Sequence, residues 1–353
     1  MDRKGSHILL VRLSAMGDVA MVTHVVRALR SLYPDLRISI LTRKRFQPIF
    51  NGLDVEFVPL DLSGRHKGVA GMYRLAKDIS SLDIDYVADL HNVLRTKMLR
   101  AFLKLSGVRV AHLKKGRIDK WMRMDGGCNE VTKPLRHMVL RYCDVVHKIG
   151  YAVADPTLPV SKGDRRNPLP FEKGAERWIG VAPFAAHRGK VYPQKYMRQV
   201  VEQLSKRYDR LFIHSGGGSE LDFALELQRD FPNVMALFGK ITIGEEIDLI
   251  SYEDCIVTMD SFAMHVGSMV ATPVVSVWGA THPSLGFAGY GCSPKGYVQL
   301  ESMVCRPCSA YGNKACRFGD YRCLNDISPL DIVERVDQNC TTGASAAVAV
   351  DSK

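Results

Sequence analysis

Polar residues follow a short apolar run, 255–259, in the second half of the chain. The run predicts a buried strand, and Asp260 and Ser261, which come directly after it, are residues that begin helices. A helix is predicted over 263–270 and a second strand over 274–278. Ligands of open parallel sheets bind beyond the carboxyl ends of the strands, where the free N–H groups of a helix start suit a phosphate. An ordinary strand–helix–strand unit with capping residues stays open as the alternative. The residues predicted to surround this crevice are Asp260, Ser261, His265 and Gly279.

A second candidate lies near the start of the chain, where the strand predicted over 7–13 leads to Gly17 and Asp18. A helix is predicted over 19–32, so Asp18 lies at its start, where the helix dipole favours a carboxylate. A carboxylate on a strand-to-helix loop can act as a general base if a substrate hydroxyl comes within hydrogen-bond reach. The alternative is a plain helix cap.

The formal net charge of +11 is concentrated in the first part of the chain. Residues 1–150 contain 27 Lys and Arg against 14 Asp and Glu, whereas residues 151–353 contain 21 against 23. This asymmetry predicts that the first part binds a polyanion or an anionic surface, such as acidic lipid headgroups or a phosphorylated glycan. No zinc finger, RNA-recognition motif or basic zipper is found, which argues against nucleic acid. The basic residues predicted to bind this partner are Arg65, His66, Lys67, Arg95 and Lys97.

Strands and helices alternate twice along the 353 residues, which predicts an α/β protein with two domains. We place the domains at 1–160 and 175–340, separated by a Pro-, Gly- and charge-rich linker. The Ala- and Thr-rich end, 341–353, is expected to be disordered. No membrane span or signal peptide is recognised, and nine cysteines without a disulfide framework favour a cytoplasmic protein.

Four cysteines, Cys305, Cys308, Cys316 and Cys323, lie within nineteen residues. Four thiolates can bind zinc in a tetrahedral arrangement. Their spacing is irregular for a zinc ribbon, so reduced structural thiols remain the alternative.

Several ordered motifs resemble glycosyltransferase family 9, the ADP-heptose:lipopolysaccharide heptosyltransferases. They are HILLVRLSAMGDVAMVTHVVRALR at the start, KVYP at 190–193, VTMDSFAMHVGSMVATPVVSVWGATHP, and the cysteine-rich CRPC…CRFGDYRCLNDISP. The resemblance covers most of the chain. It implies a GT-B fold, in which two Rossmann-like domains face each other across a cleft, the first binding the acceptor and the second the sugar nucleotide.

The resemblance also implies residue roles, with inverting transfer that needs no metal or other cofactor. Asp18 matches the proposed base, Lys190 a lysine at the donor phosphates, and Glu220 a glutamate near the nucleoside. Asp260 matches a carboxylate at the heptose, and Ser261 and His265 match positions at the donor phosphates. The chain departs from the family pattern at Ala185 and Ala186, at Phe262 and at His282, where the family often has hydroxyl residues, Gly and Asp.

The expected function is therefore transfer of heptose from ADP-L-glycero-D-manno-heptose to the inner core of lipopolysaccharide or a related lipid-linked glycan. The protein is expected to act at the cytoplasmic face of the inner membrane. A family-related transferase with another sugar nucleotide and a non-catalytic binder of anionic glycolipids are the alternatives. An NAD-type oxidoreductase is disfavoured because SAMGDV, and not G-x-G-x-x-G, follows the first strand.

Overall fold

The computed structural model describes residues 5–124, 134–154, 156, 165–301 and 303–342. They form two compact units, the first made of residues 5–116 and 136–156 and the second of 117–124, 134–135 and 165–342. The predicted domain 1–160 therefore differs from the first unit, because 117–124 and 134–135 group with the second. The predicted disordered end lies outside the described residues from 343 onwards.

The first unit is built on a five-stranded parallel sheet with the order β3-β2-β1-β4-β5. Its central strand has an unbroken apolar sequence, HILLV, and is buried along its whole length, as expected for a parallel strand covered on both faces. The strands are β1 (His7–Val11), β2 (Arg37–Leu41), β3 (Glu56–Phe57), β4 (Tyr86–Asp89) and β5 (Arg109–His112).

Amphipathic helices connect these strands and turn their apolar faces to the sheet. Met72, Leu75 and Ile79, for example, lie on one face of a helix and are buried against the sheet with Leu9 and Val87. The helices are α1 (Met16–Ala20), α2 (Val22–Leu32), α3 (Gly68–Ser80), α4 (Leu94–Leu105) and α6 (Met138–Lys148), with a 3-10 helix at Lys44–Phe50.

The prediction of one helix over 19–32 is wrong in its start. The chain becomes helical at Met16, and α1 and α2 are divided at Met21. The cause is local, since the Asp18 carboxylate accepts a hydrogen bond from the backbone N–H of Ala15. Asp18 is therefore the third residue of α1, and its side chain caps the helix start from within the first turn.

The second unit contains a six-stranded parallel sheet with the order β11-β10-β9-β6-β7-β8. The strands are β6 (Trp178–Ala182), β7 (Arg210–Ile213), β8 (Val234–Ala236), β9 (Cys255–Met259), β10 (Val274–Val277) and β11 (Tyr297–Val298). The helices are α5 (Arg117–Trp121), α7 (Gln194–Ser205), α8 (Ser219–Asp230), α9 (Ile243–Tyr252), α10 (Phe262–Met269), α11 (Arg322–Asn325) and α12 (Pro329–Thr342). One face of this sheet packs against α7, α8 and α12 in a core that includes Val257, Leu204 and Val333, and the other face carries a second cluster around Trp178 and Phe212.

Each unit thus has the alternating parallel strand and helix order of a Rossmann-like domain. Among the described residues, none of the helices has both the length and the apolar character needed to cross a bilayer.

A buried charged network connects three elements of the second unit. His214, just after β7, lies 2.8 Å from the Glu246 carboxylate through Nδ1 and 2.8 Å from Glu253 through Nε2. Glu253 is fully buried and lies against β6, where a side-chain Cβ at Gly180 would come within 2.0 Å of its Oε2. Burial opposes charge on His214, but Glu253 and Glu246 raise its pKa to about 10. Burial raises the pKa of Glu253 as well.

This network predicts a pH-dependent stability. The raised pKa of His214 means that the folded state holds more protons than the unfolded state between pH 6.5 and 10, so stability falls as the pH rises through this range. The raised pKa of Glu253 acts in the same direction above its ordinary value of 4.5. We expect the melting temperature of the wild type to fall between pH 7 and 10 by at least about 3 °C more than that of a His214→Gln/Glu253→Gln variant.

Differential scanning calorimetry across this pH range measures both proteins. His187→Gln, which changes an exposed histidine of the same unit, is the control and should follow the wild type. Equal slopes for the wild type and the double variant would contradict the assignment.

Candidate active site

In each sheet, functional side chains lie where the strand order reverses. In the first unit the reversal falls between β1 and β4, and Asp18 and His91 follow these two strands. In the second unit it falls between β6 and β9, which are followed by Lys190 and Asp260. Such switch points form crevices at the carboxyl ends of the strands, which are the usual ligand sites of doubly wound sheets.

Asp18 is held by one of its two carboxylate oxygens. Its Oδ2 forms an ion pair with Arg12 and accepts the 3.2 Å hydrogen bond from Ala15 N–H. No hydrogen bond to Oδ1 is found within the described ranges, and the side chain is 23% exposed. The carboxylate is therefore fixed on one side and open to a substrate on the other, as a general base requires.

Arg12, which the sequence analysis did not single out, positions this carboxylate. It is buried, donates to the Leu90 carbonyl at 2.6 Å, and lies 5.8 Å from the centre of the Tyr142 ring. Burial opposes its charge, but Tyr142 and Asp18 raise its pKa above the ordinary value. The sequence signal for Arg12 was its position directly after an apolar strand. A charged residue at such a buried position needs a partner of opposite charge.

His91 lies close to Asp18 and is uncharged. Its Nε2 is 3.5 Å from the Ser14 hydroxyl, and burial together with the charge of Arg12 lowers its pKa to about 3. The turn that carries it is held by Asp89, whose buried Oδ1 accepts from the backbone N–H groups of His91 and Asn92 at 2.9 and 2.8 Å. The crevice thus presents a neutral imidazole beside a carboxylate.

The five residues predicted to bind the acceptor fall into two groups. Arg65 forms a bidentate pair with Asp78, and the buried His66 accepts from Asp61 N–H at 3.0 Å and contacts Asp78 at 3.1 Å, so both hold the loop before α3. The other three are exposed, and no ion pair is found for them among the described residues. They are Lys67, Arg95 and Lys97.

In the second unit, Lys190 and Asp260 form an ion pair of 2.9 Å, with side chains 16% and 8% exposed. Lys190 ends the 3-10 helix Arg188–Lys190 after β6, and Asp260 follows β9. The structure thus brings together two residues that are seventy positions apart in the sequence.

Glycines allow the backbone to approach this pair closely. Gly312 has a φ of +73°, and a Cβ there would lie 2.5 Å from Cγ of Lys190, so the lysine stem lies directly on the backbone of the cysteine-rich segment. A Cβ at Gly279 would come within 2.6 Å of the Gly189 carbonyl oxygen. Ala280 N–H donates to that same carbonyl at 2.8 Å.

The start of α10 lies directly after Asp260. Ser261 is its N-cap residue but makes no side-chain cap, because its hydroxyl contacts that of Thr258 at 3.0 Å. The first N–H groups of α10 are therefore not capped by Ser261, and phosphate binding there stays a prediction. His265, one turn further along, is buried.

Glu220 closes the glycine-rich loop after β7. Its Oε2 accepts a hydrogen bond from Gly216 N–H at 2.7 Å, which folds the loop back onto the start of α8. A direct role of Glu220 at a nucleoside stays a prediction.

The four clustered cysteines are free thiols that line one pocket. In the part of the chain that the structure describes, no group of three or more His, Cys, Asp or Glu side chains is arranged to hold a metal ion.

Comparison with known proteins decides the family. The model of glycosyltransferase family 9 (heptosyltransferase) matches residues 72–316, more than half of the chain. The chain belongs to this family. The prediction that the protein is a glycosyltransferase of the heptosyltransferase type is thereby confirmed.

Curated relatives of this family 9 glycosyltransferase are distant in sequence but extend over most of its length. Lipooligosaccharide heptosyltransferase 2 of Haemophilus influenzae is 24% identical over 300 residues, which cover 78% of this chain and 84% of that protein. Lipopolysaccharide heptosyltransferase 3 of Escherichia coli is 23% identical over 279 residues, covering 75% and 81%.

Solved structures support the predicted fold class. The ADP-heptose LPS heptosyltransferase II of Escherichia coli matches with a TM-score of 0.69 at 19% identity, over 96% of this chain and 100% of that one. An Escherichia coli heptosyltransferase solved with ADP matches with a TM-score of 0.68 at 16% identity, over 94% and 99%. The two Rossmann-like units of this glycosyltransferase are those of the GT-B fold.

The Lys190–Asp260 pair generates a prediction about stability without any ligand. Removing one partner of a buried pair leaves the other charge unpaired, so we expect Lys190→Met and Asp260→Asn each to lower the free energy of unfolding by about 2–4 kcal/mol. The double variant should lose less than the sum of the two.

Denaturant unfolding of the four proteins measures this coupling. Lys206→Met and Glu202→Gln break an exposed pair of the same unit and serve as the matched cycle, which should show almost no coupling. If the changes in the free energy of unfolding for Lys190→Met and Asp260→Asn simply add in the double variant, the ion pair contributes nothing to stability.

Proposed function

We propose that this protein transfers heptose from ADP-L-glycero-D-manno-heptose to the inner core of lipopolysaccharide or a related lipid-linked glycan, with inversion at the anomeric carbon. The observation that carries the proposal is a lysine–carboxylate pair beside an uncapped helix start, at the switch point of the second sheet, in a chain of the heptosyltransferase family.

The second unit supplies the donor site in this proposal. The diphosphate accepts hydrogen bonds from Lys190 and from the N–H groups at the start of α10, with Ser261, His265 and Gly279 nearby. Asp260, released from part of its contact with the lysine, accepts hydrogen bonds from hydroxyl groups of the heptose. Glu220 orders the glycine-rich loop for the nucleoside. The ADP named with one Escherichia coli neighbour supports this choice of donor.

Transfer is a single displacement. The acceptor oxygen forms a bond to the anomeric carbon while the bond to the diphosphate oxygen breaks, and ADP leaves with the electron pair. Negative charge therefore grows on the diphosphate in the transition state, where the Lys190 ammonium and the helix dipole stabilise it more than in the bound donor. Because these protein groups stabilise the negative charge on the departing ADP, the proposal includes transfer that is independent of a metal ion.

Asp18 in the first unit takes the proton of the acceptor hydroxyl. Its anchored Oδ2 keeps the carboxylate in place, and Oδ1 is the oxygen that receives the proton. His91, neutral because of its low pKa, adds no competing positive charge and can exchange a hydrogen bond with the acceptor.

The acceptor in this proposal is an anionic, lipid-linked glycan, met by a peripherally bound enzyme at the cytoplasmic face of the inner membrane. The excess of Lys and Arg in residues 1–150 supports it, as do the exposed cations Lys67, Arg95 and Lys97. Incubating the protein with ADP-heptose and a delipidated, heptose-free core oligosaccharide tests the function, with mass spectrometry of the product and NMR of its anomeric configuration. If the protein transfers a sugar from another sugar nucleotide but not from ADP-heptose, the proposed donor is wrong.

A prediction concerns the base. Asp18→Asn should lower kcat by about 10²–10⁴-fold, because the acceptor hydroxyl loses the group that takes its proton. ADP affinity should be unchanged, since the proposed donor site lies in the other unit. Transfer assays stopped at successive times measure kcat, and titration calorimetry with ADP measures the ADP affinity.

The matched control is Asp54→Asn, which changes a carboxylate that is 88% exposed and paired only with Arg30 among the described residues. It should retain full activity. Near-normal turnover of a folded Asp18→Asn protein would reduce Asp18 to its role in the helix cap.

A further prediction concerns the acceptor. Replacing the three exposed cations Lys67, Arg95 and Lys97 by Gln should raise the KM for the core oligosaccharide about fivefold or more, since exposed charge contacts contribute roughly 0.2–1 kcal/mol each. The KM of the wild type should rise with salt, because a Debye length of about 8 Å at physiological ionic strength screens such contacts.

The control changes three exposed cations of the second unit, Lys206, Arg229 and Lys240, to Gln in the same way. Its acceptor KM and its salt dependence should match the wild type. Equal acceptor KM values in all three proteins would show that the basic surface does not bind the acceptor.

A further inference from the structure

Arg306 is a buried cation in the cysteine-rich segment, and its hydrogen bonds to described residues all go to neutral groups. It is 6% exposed. Its Nε donates to the Gly279 carbonyl at 2.5 Å, and its Nη2 donates to the Thr281 carbonyl at 3.0 Å and to the Gln299 side-chain oxygen at 3.1 Å. Nη1 donates to the Leu300 carbonyl at 2.7 Å.

A buried charge of this kind is costly unless it is paired, and a carboxylate is the usual partner. Within the described ranges, no direct ion pair of Arg306 is found. The Gln299 side chain that accepts from Arg306 donates in turn to the Glu301 carboxylate at 3.1 Å. Burial lowers the pKa of Arg306, and the charge of Glu301 opposes this effect. Carbonyl dipoles therefore contact the guanidinium directly, while Glu301 balances part of its charge from beyond Gln299.

Arg306 is connected to Lys190 through the loop after β10. The guanidinium holds the Gly279 carbonyl, and the N–H on the other side of that peptide unit, from Ala280, donates to the Gly189 carbonyl at 2.8 Å. Gly189 directly precedes Lys190. The Ala280 carbonyl in turn accepts from Cys308 N–H at 3.1 Å, so the loop is held on both sides by the segment that contains Arg306.

The same segment supports the lysine stem. Gly312 lies against Lys190 so closely that any side chain there would meet it. Arg306, the loop 279–281 and Lys190 therefore form one connected arrangement, in which the position of the lysine depends on a backbone that the arginine holds.

We propose that Arg306 is a positioning residue of the diphosphate site: it orients the loop 279–281 and, through it, Lys190, and its only partly balanced charge adds to the attraction for the donor diphosphate. This inference rests on the proposed donor site. It assigns part of the anion binding to a residue that need not touch the ligand.

The test compares binding of ADP with binding of adenosine, which lacks the phosphates, in wild type and variants. Arg306→Met should weaken ADP binding by on the order of tenfold, a loss of about 1.4 kcal/mol, because the loop that positions Lys190 loses its support and the site loses a buried positive charge. Adenosine binding should change less than about twofold, because the nucleoside does not meet this charge. Arg306→Lys, which keeps the charge, should recover most of the ADP affinity.

The control is Arg322→Met in the same segment, where the arginine is 54% exposed and paired with Asp320. Its ADP affinity should equal that of the wild type. Arg306→Gln, which keeps a donor for one carbonyl, replaces Arg306→Met if the latter does not fold, as judged by circular dichroism and thermal melting.

Three results would overturn the inference: unchanged ADP affinity in a folded neutral variant, equal losses of ADP and adenosine binding, or failure of both neutral variants to fold while Arg306→Lys binds ADP normally. The last two would make Arg306 a purely structural residue. If the wild-type protein does not bind ADP, the proposed donor is wrong, and this conclusion does not depend on the Arg306 variants.

Discussion

In a parallel sheet that is covered by helices on both faces, charged and polar side chains can reach a ligand only at the ends of the strands. In this chain the buried strands β1, β6 and β9 are almost entirely apolar, so charged groups appear directly after them. Where the strand order reverses, two such chain segments diverge and leave room between them. This single constraint accounts for the position of Asp18 and of the Lys190–Asp260 pair.

Charges near these strand ends are held by partners that differ in kind. Asp18 has a cation, Arg12; Lys190 has a carboxylate, Asp260; and Arg306 has carbonyl oxygens. The first two arrangements place opposite charges in direct contact. In the third, the cation contacts neutral groups directly, and Glu301 balances part of its charge from beyond Gln299.

The sequence predicted the fold class and most elements because long apolar runs and helix periods are local signals. β1, β9 and the helix after Asp260 lie where the pattern placed them, within one or two residues. The two-residue strand β11 was not predicted, because such a strand has no period to detect. The start of α1 was also missed, since it depends on one side-chain hydrogen bond, from Ala15 to Asp18.

The site was predictable only in part, for a physical reason. Asp18, Lys190 and Asp260 follow strands and belong to recognisable motifs, whereas their partners are revealed only by folding. Arg12 looks like a surface charge in the sequence, and Arg306 looks like part of a cysteine cluster. His66 was predicted to bind the acceptor, but it is buried, with Nδ1 accepting from Asp61 N–H and Nε2 in contact with Asp78 of α3. Its role at an acceptor stays a prediction.

The ion pair between Lys190 and Asp260 has a consequence for the empty enzyme. A bare lysine at a helix start would collect whichever small anion is most abundant, and inorganic phosphate is plentiful in cells. Here an entering anion must compete with a carboxylate that is already 2.9 Å from the lysine and belongs to the same chain. In the proposed donor site, a sugar diphosphate brings several hydroxyl groups that can donate to this carboxylate when its contact with the lysine weakens. The pair would therefore favour a sugar diphosphate over a small anion with fewer donors.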